Sequence, residues 1–124
     1  MGGRGAKLES GGFRFQEFKS TGEIAGVKVL EPINRNKDQV KMPHISNTPG
    51  TSYLTLNKKG DRIKKFRQYG ADRLPVLDID FDHDHGWGVP HVQEWKDGKR
   101  VDEGRPITQE ERIKYAKILE AAGY

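Results

Sequence analysis

Three histidines and four aspartates fall within residues 78–91, a stretch that contains no lysine or arginine. Imidazole and carboxylate are the side chains that bind divalent metals and move protons near neutral pH. Four ionised aspartates this close repel one another. A chain tolerates that by binding a cation or by spreading the groups into solvent. Asp78, Asp80 and Asp82 alternate with Leu77, Ile79 and Phe81, so the carboxylates share one face of a strand. If residues 90–95 return antiparallel, His91 joins the Asp80 face. His83 and His85 lie two apart in the connecting loop, where Gly86 and Gly88 let the chain fold back. Asp80, His83, His85 and His91 then make a three-histidine, one-carboxylate ligand set. Such a set suits zinc, and imidazole also suits nickel, copper or iron. Calcium fits less well, because it takes oxygen ligands. Asp78, Asp82 and Asp84 are alternative ligands or groups that orient an imidazole N–H, and Glu94 could do the same. The competing reading is a solvated acidic strand face with a chance His-x-His. A one-residue slip in register would reverse the two faces.

The elements around this stretch must hold it from a small core. Hydrophobic residues make up 33% of the 124-residue chain and charged residues 32%, so little apolar surface is available. With no cysteine, neither disulfides nor thiolate zinc sites are open to it, which raises the prior for another kind of metal staple. No apolar run approaches a membrane span and the N-terminus lacks a secretory apolar region, so the expected location is the cytoplasm.

Residues 1–12 are Gly-rich and polar, and read as a flexible N-terminal arm. Residues 13–124 read as a single compact domain. Glu23–Leu30 alternates as a strand, and residues 31–50, with three prolines, read as a long loop. Thr51–Leu56 and Arg62–Tyr69 form a hairpin about Asn57–Asp61. Gly70–Asp72 turns the chain into Leu74–Asp82; Pro90–Trp95 is a further strand, followed by a turn at Asp97–Gly98. Thr108 and Glu111 make a capping box, and Tyr115, Ile118, Leu119 and Ala122 line one face of a helix. The pattern predicts an α+β fold: an antiparallel β meander of four to five strands with one C-terminal helix packed on it.

Two further features have chemical potential. Lys58, Lys59, Arg62, Lys64, Lys65 and Arg67 surround a single acid, Asp61, with Tyr53, Phe66 and Tyr69 interleaved nearby. A basic hairpin with aromatics can meet a phosphate backbone or an acidic partner. Lysines on a solvated edge strand that deter aggregation are the favoured alternative. Charge is also divided along the chain: residues 1–70 carry 14 Lys+Arg against 6 Asp+Glu, and residues 71–124 carry 8 against 12. His44 is isolated and reads as a loop histidine. Trp87 and Trp95 flank the acidic stretch and read as packing residues first.

The run Tyr69-Gly70, Asp78-Ile79-Asp80-Phe81, His83-Asp84-His85-Gly86, Pro90-His91, Glu94-Trp95 resembles small proteins of phages and prophages of Gram-positive bacteria. It also resembles C-terminal domains of some bacterial polymorphic toxins. The likeness covers residues 58–105. It departs at Gln93, where the pattern often has a second histidine. It implies a location in the cytoplasm of a bacterial host. It also implies a zinc protein that binds a host protein, such as an anti-CRISPR inhibitor of a type II CRISPR effector nuclease. The alternatives are a metal- or histidine-dependent RNase toxin domain and a phage structural or assembly protein. The RNase reading needs cations beside the cluster, which Arg100 and Arg105 could supply only if the fold brings them in.

Overall fold

The computed structural model describes residues 6–10, 14–32, 42–57, 59–82, 88–101 and 103–124. In chain order the strands are β1 (Ala6–Ser10), β2 (Arg14–Ile24), β3 (Val27–Pro32), β4 (Ile45–Ser46), β5 (Ser52–Leu56), β6 (Ile63–Tyr69), β7 (Pro75–Asp80), β8 (His91–Lys96), β9 (Lys99–Arg100) and β10 (Arg105–Pro106). Two short helices follow, α1 (Gln109–Lys114) and α2 (Ala116–Ala121). The strands form one sheet in the order β10-β8-β7-β6-β5-β3-β2-β1-β4, with β9 attached to β8.

The α+β class is as expected, with several differences in detail. The sheet has ten strands among the described residues, against the four to five anticipated. It is not a pure meander, because β3 and β5 run parallel. A parallel pair needs a long crossover, and the proline-rich stretch after β3 supplies the length. Glu23–Leu30 is not one strand: Ala25 (φ 52°) and Gly26 (φ 80°) reverse the chain there and split it between β2 and β3. Residues 6–10, within the segment expected as a flexible arm, pair with β2 and β4.

The apolar face is built as one row across five strands. Val29 faces Leu54 in register, Leu54 faces Phe66, Phe66 faces Ile79, and Ile79 faces Val92. All five are buried and belong to one cluster with Ile63, Phe81, Ile118 and Leu119. Burying each such side chain is worth about 1.5–3 kcal/mol. The helices are the lid on this row. Thr108 caps α1 in a complete capping box with Glu111, as expected. The single anticipated helix is interrupted at Tyr115 (φ −107°, ψ 26°), whose ring packs on Phe66 at 5.2 Å between centroids. Tyr115 and Ala122 still join Ile118 and Leu119 on the core side.

The opposite face carries a smaller cluster of Phe18, Leu30, Met42, Tyr53 and Tyr69. The segment around Pro43 closes over it: the Tyr69 hydroxyl donates to the Pro43 carbonyl, and Ser46 Oγ donates to the Tyr53 hydroxyl at 3.2 Å. Beside this cluster, on the same face, lies the polar region described next.

A candidate acid–base cleft on the polar face

Strand alternation places Lys65, Asp80 and His91 in one cross-strand row, since Lys65 faces Asp80 and Asp80 faces His91. The neighbouring row is Tyr53, Arg67, Asp78 and Gln93. The expected alternation of β7 therefore holds: Leu77, Ile79 and Phe81 go to the apolar core, and Asp78 and Asp80 go to the other side. The Asp78 and Asp80 carboxylates are not spread into solvent. Asp78 is 1% exposed, Asp80 6% and His91 4%. Together with Lys65, Gln93, Arg100 and Glu103 they line a cleft of about 380 Å³.

Asp78 is fully engaged. Arg67 grips it with two hydrogen bonds, Nε to Oδ1 at 2.5 Å and Nη2 to Oδ2 at 2.7 Å, and Trp95 Nε1 donates to Oδ2 at 3.0 Å. The remaining Arg67 nitrogen, Nη1, donates to the carbonyls of Pro43 at 3.1 Å and Met42 at 3.4 Å. Burial alone would make Arg67 easier to deprotonate. The hydrogen bond and charge of Asp78 more than offset it, so the Arg67 pKa is raised. A buried carboxylate held this way acts as a counter-ion within the sheet.

Asp80 accepts the backbone N–H of Asp82 at Oδ1, at 2.8 Å, and its Oδ2 lies 3.9 Å from Lys65 Nζ. Burial lowers the pKa of Lys65; the nearby Arg67 and Arg100 charges add to this, while Asp78 and Asp80 oppose it. An ammonium in that position gives up its proton more readily than a solvated lysine. His91 is set at its place by packing. A Cβ on Gly104, at φ +110°, would lie 3.3 Å from both His91 Cδ2 and the Val92 carbonyl oxygen, so the chain passes tightly over the imidazole. The charged groups in and under the cleft balance, Lys65, Arg67 and Arg100 against Asp78, Asp80 and Glu103.

Of the expected ligand set, the fold brings Asp80 and His91 together. His83, Asp84 and His85 lie outside the described residues, as do Trp87 and Lys58. Among the described residues, no three histidine or carboxylate groups converge as a metal would need. Asp82 is exposed past the end of β7 and reaches the site through its backbone N–H. Glu94 faces Leu77 in register and takes an ion pair from Arg105 at 2.9 Å. Arg105 is also bound to Glu111 at 2.8 Å and so stays out of the cleft, whereas Arg100 lines it. His44 packs edge-on against Trp95, with 6.0 Å between centroids.

The basic hairpin is not a solvated edge. β6 is an interior strand between β5 and β7, and its cations are divided by the alternation and by a bulge near Leu56. Lys59 and Arg62 are exposed, Lys64 is half-buried, Lys65 enters the cleft and Arg67 is buried against Asp78. Gln93 and Glu103 are cleft residues that local patterns did not single out. For Gln93 the available signal was its two-residue spacing from His91; for Glu103 there was none.

No helix among the described residues is long and apolar enough to cross a membrane. Comparison with family models, with curated proteins and with solved structures finds no match.

Proposed function

We propose that the cleft binds a phosphodiester and cleaves RNA by acid–base chemistry. The observation that carries this reading is the placing of two cations, Lys65 and Arg100, beside His91 in one cleft. An imidazole, a readily deprotonated ammonium and a guanidinium are the parts that transphosphorylation needs. His91 takes the proton from a ribose 2′-hydroxyl, and the 2′-oxygen attacks the adjacent phosphorus. The bond from phosphorus to the 5′-oxygen breaks, and that oxygen receives a proton from Lys65. The products are a 2′,3′-cyclic phosphate and a 5′-hydroxyl. Arg100 holds the non-bridging oxygens, and Asp80 keeps Lys65 charged until the proton is needed.

The test is cleavage of a labelled RNA oligonucleotide by the purified chain, with His91→Gln and Lys65→Arg beside it. His91→Gln should lose about 10²–10⁴-fold in rate. The alkaline limb of the pH–rate profile should fall below 10.5, the ordinary lysine value, and should vanish in Lys65→Arg. Full activity in His91→Gln, or no cyclic-phosphate product from the parent at any pH where it stays folded, would sink the proposal.

A second reading is favoured by the direct opposition of Asp80 and His91 across β7 and β8. These two, with His83 and His85, would hold a zinc ion that ties the loop to the sheet. The protein would then act by binding a host protein, a type II CRISPR effector nuclease among the partners the resemblance implies. Lys65 weighs against it, because an ammonium 3.9 Å from Asp80 competes with a dication for the same carboxylate. One zinc per chain by elemental mass spectrometry, lost in His83→Ala/His85→Ala together with a large fall in Tm, would favour this reading over the first.

A further inference from the structure

We infer that Trp95 is a positioning residue that holds the Arg100 guanidinium over the cleft for an anionic ligand. This rests on the proposed phosphodiester site and specifies what builds its anion-binding side.

Arg100 is solvent-exposed and sits on the two-residue strand β9. A flexible side chain there would sample many rotamers, at a cost when a ligand fixes one. Three features restrict it. The turn at Asp97 (φ 52°) and Gly98 (φ 79°) is a tight hairpin that sets β9 against β8, with Arg100 directly opposite Trp95. The Arg100 guanidinium carbon lies over the Trp95 ring, 5.6 Å from its centroid. The ring itself is anchored, because Nε1 donates to the buried Asp78 and the Arg67 guanidinium also lies over it at 4.8 Å. A guanidinium over an indole face still offers N–H donors at its edge to phosphate oxygens. The buried Arg67–Asp78 pair thus reaches the ligand side of the cleft through one aromatic ring. Arg100 and Lys65 line the same cleft, so one anion bound there meets both cations.

The experiment is a double-mutant cycle on binding, using an RNA-sequence oligonucleotide whose riboses are all 2′-O-methylated. That probe cannot be cleaved, so its Kd reads binding alone. Arg100→Gln should weaken binding about tenfold, the loss typical of one charge-assisted contact. Trp95→Leu should weaken it several-fold in the parent and by less than about twofold in the Arg100→Gln background. Trp95→Phe keeps an aromatic face under Arg100 but loses the anchoring indole N–H, so it should restore part of the affinity that Trp95→Leu loses. Equal losses from Trp95→Leu in both backgrounds would show general damage to the sheet and overturn the inference. So would a Trp95→Phe variant as weak as Trp95→Leu, or a parent chain that does not bind the probe. A parent that binds the probe through Arg100 and Trp95 but does not cleave unmodified RNA would remove the nuclease reading and leave this one standing.

Discussion

The two faces of the central strands both bury most of their side chains and are held together by different physics. On one face Leu54, Phe66, Ile79 and Val92 meet under α2. One residue along, on the other face, Arg67 meets Asp78 and Lys65 meets Asp80. The apolar row gains free energy in proportion to the area it removes from water and tolerates small changes of shape. The polar row gains little from burial as such. It survives only because its charges find partners, and losing one partner strands the other. Stability and chemistry are thereby divided between faces of the same strands: the apolar row supplies the free energy that keeps desolvated charges in place. Burial on this face lowers the Lys65 pKa against the pull of Asp78 and Asp80, so the cost of burial becomes readiness to give up a proton.

The largest expected effect breaks the polar face from within. Arg67→Met leaves Asp78 buried beside only the Trp95 N–H, and should destabilise the fold by about 3–5 kcal/mol in urea denaturation. Adding Asp78→Leu should recover most of that loss, because two apolar side chains need no partners. A double variant as unstable as the single one would mean that the pair organises the sheet beyond satisfying its own charges.

A smaller effect comes from the other face. Ile79→Val removes one methylene from the apolar row and should cost about 0.5–1.5 kcal/mol. Because Ile79 points away from Asp78 and Asp80, the rate of RNA cleavage per folded molecule should stay within twofold. A tenfold loss of rate at unchanged folded fraction would show the faces to be mechanically coupled.

The smallest effect concerns the clasp that ties the helical lid to β8. The Arg105 hydrogen bond lowers the Glu111 pKa from 4.5 to about 2, and the Thr108 backbone N–H assists. A folded pKa below the unfolded one means that the stabilisation is fully present above about pH 4.5. It is lost as pH falls towards 2. Arg105→Gln should move the Glu111 titration, followed by carboxyl carbon chemical shift, back towards 4.5. It should cost less than about 1 kcal/mol at neutral pH, as expected of a partly solvated ion pair. A Glu111 titration unmoved by Arg105→Gln would assign the shift to the capping box instead.

Much of this was legible locally. The alternation of Leu77, Ile79 and Phe81 with Asp78 and Asp80 separates the two faces of β7, because successive side chains in a strand point to opposite sides. The Thr108–Glu111 capping box marks the start of α1, and Asp97–Gly98 marks the β8–β9 turn. These signals depend on residues within a few positions of one another. The break at Tyr115 and the split of Glu23–Leu30 at Ala25–Gly26 were not legible, since both segments keep an acceptable periodicity through the interruption.

What local order could not convey was the charge balance of the acidic stretch. Residues 78–91 contain no cation, and taken alone they call for a metal. The β6–β7 hairpin changes that, because the turn at Gly70 sets the register that puts Lys65 opposite Asp80 and Arg67 opposite Asp78. Arg100 enters through the β8–β9 turn and Glu103 through the chain that follows. Whether a residue faces the core or the opposite side follows from alternation along its own strand. Whether a carboxylate is a metal ligand or half of an ion pair depends on which strand lies beside it and in what register, and packing of the whole sheet decides that.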